Sequence, residues 1–535
     1  MAAYAKAHAN DRNGLLAHLA LGVSDYESRD YPSAIAQLKM VQGKLPAVAD
    51  YTGYYLGAAL VESKQGAAVP QALAPVRAGQ VPSPMAGRSW ILEARALAPQ
   101  PAQAIRILHE HYADLPQPEG DLALADSYRA ANDLPHAVEY YQGILYRFFS
   151  GAASTRAEAA LAELKTSMGA AYPPPNPSEL LRRAGRLMEA RDYDGARAQY
   201  LVLPDQLTGL EKARAQVGIG AADLLSGKLS AATQYLRNLS LAPSEGDAER
   251  LYYLEECASR SGSDAGIQSA VAEISSRYPN SVWRLKALAS AAGHFLIVNQ
   301  PDNYIPLYRA AYENFPDSTA AGLYHWKVAF HAYIQGDRDA EDLLREHLAR
   351  FPDHATAPAA LYFLSRQAER RGEFGAARAY YRRLNTAFPN TYYGMQARDR
   401  LKAPEVAGAP SAPEAEQFAA GIRFPVPAPV PSAPTRATTL RIERSRTLRA
   451  AGLDDMADAE LRFGARNDGQ PLLLGLEMAA NNDAPSRAMR IMKSTAQDYL
   501  RMPIDRAPRK MWELLFPLPY RRELERYARE RKIDP

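Results

Sequence analysis

The sequence predicts an all-α protein: an α-solenoid superhelix of tetratricopeptide-like helix pairs, followed by a small helical linker domain. Three observations carry this prediction. An aromatic–proline stop recurs as Tyr278-Pro279-Asn280-Ser281, Phe315-Pro316-Asp317-Ser318, Phe351-Pro352-Asp353-His354 and Phe388-Pro389-Asn390-Thr391, with successive prolines 37, 36 and 37 residues apart. A fixed period of this size marks stacked supersecondary units. Between the stops, apolar residues recur three and four apart, the spacing of one helix face. Finally, 535 residues exceed one ordinary core, while 47% hydrophobic and 23% charged residues describe a folded chain.

The unit after Phe315-Pro316 shows the logic. Leu323, Trp326, Phe330 and Tyr333 share a face and are expected to pack inward. Gly336 suits the left-handed turn that ends a helix. Asp337 or Asp339 is expected to cap the next helix. That helix turns Leu343, Leu344, Leu348 and Phe351 inward. Pro352 ends it, because proline has no amide hydrogen and disfavours helix in the residue before it. One pair cannot bury its own apolar faces, but stacked neighbours can.

Taken in order, residues 1–170 form an N-terminal helical-repeat segment. Its pairs span 14–45, 52–81, 88–115 and 120–149. The three successive prolines of residues 171–177 cannot be helical and form a joint. Residues 178–401 form a second repeat segment, with pairs at 178–207, 211–241 and 247–278 before the three clear units. Residues 402–435 are a Pro/Ala-rich linker with extended polyproline character, little core and a short helix over 415–420. Residues 436–535 are expected to form the small helical linker domain.

Net charge is +3, too weak to indicate nucleic acid. From Arg436 onward, 20 basic residues face 15 acidic ones, and this mildly basic tail reads as a solvated helical face. The single cysteine, Cys257, lies in an apolar helical pattern and is expected to be buried. No run of 18 apolar residues exists, so no transmembrane segment is expected. The start, Met1 to Lys6, has neither the basic start nor the apolar stretch of a signal peptide. A cytoplasmic chain and one that begins after a removed leader both remain open.

No catalytic, cofactor-binding or metal-ligating residue is assigned, and no cofactor is expected. His109-Glu110-His111 places its imidazoles at i and i+2, on different sides of a helix. Asp337, Asp339, Glu341 and Asp342 lack the ordered ligands of a calcium loop. Gly218-Ile219-Gly220 follows no strand and reads as close helix packing. Five tyrosine doublets, at 54–55, 140–141, 252–253, 380–381 and 392–393, are each expected to pack one ring inward and leave its neighbour partly exposed. Exposed rings of this kind are able to stack on sugars, although plain packing is the simpler reading.

The order of these features resembles the soluble lytic murein transglycosylases. The matching residues are Tyr392-Tyr393-Gly394-Met395-Gln396-Ala397 at the end of the repeats, the proline-rich passage, Arg449-Ala450-Ala451-Gly452-Leu453 with Ala457-Asp458-Ala459-Glu460-Leu461, and Phe516-Pro517-Leu518-Pro519-Tyr520 with Tyr527-Ala528 and Ile533-Asp534-Pro535. The resemblance implies a periplasmic or cell-envelope scaffold. It would position a peptidoglycan glycan strand and a catalytic domain that cleaves the MurNAc-GlcNAc bond with 1,6-anhydro product formation. The family's Glu-Ser and Gly-Leu-Met-Gln catalytic motifs are absent in that context, so this chain is expected to be inactive. The alternative is a stand-alone adaptor that binds a protein partner on the concave face of its repeats.

Overall fold

The structure, a computed structural model, describes every residue except Asn10, Ser432, Asp483 and Pro535. All regular secondary structure among the described residues is helical, and the chain is an α-solenoid of tetratricopeptide-like pairs. It divides into two compact units. The first comprises Met1–Pro174, Pro429–Gln497 and Ile504–Pro535. The second comprises Pro175–Ala428 and Asp498–Pro503.

In the first unit, helix Arg12–Glu27 pairs with Tyr31–Val41, Ala49–Glu62 with Val69–Arg77, Ala86–Ala96 with Pro101–Glu110, and Glu119–Ala130 with Leu134–Arg147. A further helix, Ala152–Met168, packs Ala157, Leu161 and Leu164 against Val138 and Tyr141 of the last pair. The turn aspartates act as caps: Asp30 accepts the Ser33 amide and Asp133 the His136 amide. Small residues set the helix spacing. A Cβ on Gly22 would stand 2.6 Å from Leu38, and one on Gly57 the same distance from Leu73.

Residues 436–535 do not group as a domain of their own. Helices Arg436–Ala450 and Asp454–Asn467, with the turn between them, place Leu448, Ala451 and Ala457 in the same core as Leu19, Leu38 and Tyr51. The physical reason is apolar: the early repeats leave a face open, and this hairpin covers it. Residues 498–503 belong instead to the second unit. There Asn390 Nδ2 donates to the Tyr499 and Met502 carbonyls at 2.9 and 2.6 Å. Of the run-in residues, Phe516, Leu518, Tyr520 and Tyr527 are exposed, and Pro535 lies outside the described residues.

In the second unit, pairs run from Pro177–Glu189 with Tyr193–Leu201 through Gly209–Leu225 with Leu229–Asn238 and Glu245–Arg260 with Asp264–Arg277. The three regular pairs follow: Val282–Ile297 with Pro301–Asn314, Ala321–Gln335 with Ala340–Arg350, and Ala357–Arg370 with Phe374–Ala387. Gly336 is left-handed at φ 75°, as its turn requires. Asp337 and Asp339 do not cap: helix Ala340–Arg350 starts after Asp339 with no side-chain bond to its first amides.

The Pro/Ala-rich passage carries more core than its composition suggests. Helices Pro404–Ala407 and Pro413–Gly421 pack on Phe374–Ala387, and Val406, Ala415, Ala419, Ile422 and Phe424 are buried there. Arg383 donates to the Ile422 carbonyl at 2.6 Å, and Phe424 meets Phe388 edge-on at 4.8 Å. The last repeat pair offers an apolar face, and this segment covers it.

Candidate binding surfaces

One expectation about helix Ala321–Gln335 is corrected in part by the structure. Its buried stripe is Ala321, His325, Val328, Ala329 and Ala332, joined by Tyr333. Leu323, expected inside, is 42% exposed, whereas Trp326 and Phe330 are partly buried and pack against the core at its edge. Ile334, on the same side, is 60% exposed. Alanines hold the inside because they let neighbouring helices approach closely, which displaces the bulky rings to the edge.

These rings begin an aromatic row across three successive first helices. Trp326 stacks on Phe330 at 4.9 Å, and Phe330 meets Phe363 of helix Ala357–Arg370 at 5.1 Å. Phe363 and Tyr362 reach Tyr393 of helix Tyr392–Arg400 at 5.7 and 5.2 Å. Tyr392, 64% exposed, ends the row at 5.3 Å from Tyr393. Trp326, Phe330, Tyr362, Phe363 and Tyr393 are partly buried against the core, so the row presents its edge to solvent and only Tyr392 stands exposed.

Basic residues flank the row, some of them paired. The Arg370 guanidinium lies 5.1 Å from the centre of the Tyr333 ring. Lys327 follows Trp326, while Arg366 and Arg400 both pair with Glu369. Further back, Lys286 caps Trp283 at 3.9 Å, and Trp283 packs against Tyr252 and Tyr253. Nearby on helix Glu245–Arg260, burial pushes the Glu249 carboxyl up to about 7, against the pull of Arg214 and Lys286. Burial, reinforced by Glu256, pushes Glu255 up to about 8.

The first unit holds a buried ionic network instead. Glu460 Oε1 accepts Arg441 Nη1 at 2.6 Å and Arg444 Nη1 at 2.9 Å, while its Oε2 accepts the Tyr51 hydroxyl at 2.9 Å. Arg441 also donates to Asp468 at 2.8 Å. Arg444 contacts Asp50 at 3.1 Å, and Ser83 donates to the same Asp50 oxygen at 2.6 Å. Burial raises the Glu460 pKa, and the two guanidiniums oppose that rise. A cavity of about 490 Å³ opens beside Asp50 and Arg444. The arrangement fixes the 436–467 hairpin to helix Ala49–Glu62. Buried ion pairs of this kind hold their partners in one arrangement.

The other sequence candidates fall as follows. Cys257 is buried at 2% exposure. His109 bonds the Tyr128 hydroxyl at 2.8 Å, and His111 stacks on Trp90. Glu341 pairs with Arg345 and Arg371. Gly218 and Gly220 admit Tyr200 and Leu236, so both serve close packing. Doublets 140–141 and 392–393 split as expected. Tyr380 and Tyr381 are both buried, and 54–55 and 252–253 are partly buried at both positions. Among the described residues, no group of three His, Cys, Asp or Glu side chains is placed to hold a metal, and no helix is long and apolar enough to cross a membrane. Sequence reasoning missed three buried histidines, His18, His325 and His347. His325 sits four residues after Ala321 and four before Ala329, a small-residue spacing that marks the inner face.

No family model and no curated protein matches the chain. Among solved structures it is similar to Naa15/Naa10 bound to HypK-THB, at 12% identity over 97% of this chain and 82% of that one, with a TM-score of 0.28. It is also similar to the APC/C hetero-tetramer Cut9-Hcn1, at 13% identity over 96% and 97%, TM-score 0.22. Yeast Tom70 matches at 14% identity over 97% and 95%, TM-score 0.22. The assignment of the fold rests on the stacked helix pairs themselves.

Proposed function

We propose that this chain is a non-catalytic helical-repeat scaffold that binds a peptide segment of a protein partner along the row from Trp326 to Tyr392. The observation that carries this reading is a continuous line of partly buried rings at the edge of the core that ends at the exposed Tyr392, with Arg370 against the neighbouring Tyr333 ring. Apolar side chains of the partner supply anchors for the row. Acidic residues between them suit its cations. Selection from a displayed library of random peptides tests this. Enriched peptides should combine aromatic or aliphatic anchors with Asp or Glu, and the double variant Trp326→Ala/Phe363→Ala should lose them. Selection without enrichment counts against the reading.

A second reading follows the transglycosylase resemblance, whose Tyr392-Tyr393-Gly394 lies at the end of the row. In Tyr392-Tyr393-Gly394 a Cβ at Gly394 would stand 1.9 Å from the Phe388 carbonyl, so the fold requires the glycine of that motif. On this reading the chain is the scaffold and linker region of a periplasmic lytic murein transglycosylase, and the rings stack on a glycan strand. Co-sedimentation with purified murein sacculi separates the two. Row-dependent sedimentation supports the glycan, and its absence leaves the peptide.

A further inference from the structure

Beneath the start of the aromatic row lies a chain of hydrogen-bonded imidazoles. His325 and His347 are both fully buried, with ring centres 5.3 Å apart, and His347 lies 5.6 Å from Trp326. His325 Nδ1 faces His347 Nδ1 at 3.3 Å. His347 Nε2 meets Thr356 Oγ1 at 2.8 Å, and Thr356 Oγ1 meets His354 Nδ1 at 2.7 Å. His354 Nδ1 also accepts the Thr356 amide at 3.3 Å.

That last bond fixes the direction of the others. With His354 Nδ1 an acceptor, the Thr356 hydroxyl donates to it and accepts from His347 Nε2–H. His347 Nδ1 is then unprotonated and accepts from His325 Nδ1–H. His325 Nε2 is left with a lone pair facing Glu346 Oε2 at 3.3 Å. The chain thus holds one vacant proton position opposite a carboxylate. The Nδ1–Nδ1 contact holds a single proton, so a proton added to His347 Nδ1 would break it.

We propose that the His325–His347–Thr356–His354 chain is a proton-operated latch that sets the position of Trp326 and thereby regulates binding along the row. The regulatory half of this inference rests on the reading of the row as a binding surface. The groups facing the chain are Arg309 and Tyr312 from helix Pro301–Asn314, Glu346 and Arg350 from Ala340–Arg350, and Asp353 beside His354. Arg350 already occupies Glu346 at 2.6 Å, so the carboxylate is shared when His325 charges. Burial lowers all three imidazoles, His347 to about 3. The unfolded chain therefore binds these protons more readily than the folded one. Local stability is complete above the ordinary 6.5 and is lost as pH falls toward about 3.

Hydrogen exchange of the full chain, read by peptide and corrected for intrinsic rate, tests the latch at about pH 7 and about pH 4. Protection across 321–357 should fall about tenfold or more while 282–314 keeps its protection. His347→Phe, which keeps a ring but cannot titrate, should remove the difference. Imidazole nitrogen NMR of the unaltered protein provides an independent measurement if that variant fails to fold. It should show unprotonated Nδ1 on His347 and His354 at neutral pH. Unchanged or uniform loss of protection, or the opposite tautomers, overturns the latch. A latch that opens on schedule while peptide affinity stays constant with pH overturns the regulatory role and leaves the latch standing.

Discussion

The Tyr51 hydroxyl donates to Glu460 across 2.9 Å, between residues 409 apart in sequence and both fully buried. This bond, with the two arginines on the other Glu460 oxygen, ties the late hairpin into the first repeats. Glu460→Ala leaves Arg441 and Arg444 buried without their shared partner and should cost about 3–5 kcal/mol. Tyr51→Phe removes only one bond to a charged group and should cost about 1.5–3 kcal/mol. Denaturant unfolding followed by probes in both units checks the ranking.

Glu255 imposes a pH-dependent penalty. Its carboxyl is raised from the ordinary 4.5 to about 8 by burial, with Glu256 adding to the shift. Below 4.5 neither the folded nor the unfolded chain is ionised there, and no stability is lost. As pH rises toward about 8, the unfolded chain ionises first and stability falls. Glu255→Gln should therefore be nearly neutral near pH 4.5. It should stabilise by on the order of a few kcal/mol above pH 8, as thermal unfolding across pH will show.

Gly394 is fixed by the chain it meets. A Cβ there would overlap the Phe388 carbonyl, and the Gly394 amide is held by Thr391 Oγ1 at 3.1 Å. Gly394→Ala should destabilise the second unit by about 1–3 kcal/mol, while Gly293→Ala, where a Cβ meets nothing, should be tolerated. Comparison of their melting temperatures suffices.

The half-exposed face of helix Ala321–Gln335 predicts contrasting costs. Leu344→Ala removes a fully buried side chain and should cost about 2–5 kcal/mol. Leu323→Ser, at a position 42% exposed, should cost within about 0.5 kcal/mol. Equal losses in chemical denaturation would return Leu323 to the core.

The helix pairs were legible because their stops repeat at 36–37 residues and because each stop combines an aromatic with a proline. Gly336 was legible for the same local reason, since a left-handed turn needs it. The inner face of helix Ala321–Gln335 was legible only in part: Tyr333 is buried as its spacing predicts, but large rings outweigh alanines in any apolar count, whereas close packing here selects alanine for the centre. The burial of Val406, Ile422 and Phe424 was hidden by the prolines around them. Composition describes the chain's stiffness and says nothing of the surface it meets. The contacts of Glu460 with Tyr51 and of His325 with His347 join residues on different helices. No local pattern reports them.

The most direct test of the whole account is the hydrogen-exchange footprint of a bound peptide selected on the intact chain. New protection should be confined to helices Ala321–Gln335, Ala357–Arg370 and Tyr392–Arg400, and should be lost in Trp326→Ala/Phe363→Ala. Protection centred on the cavity beside Asp50 and Arg444, or unchanged in the double variant, would contradict it.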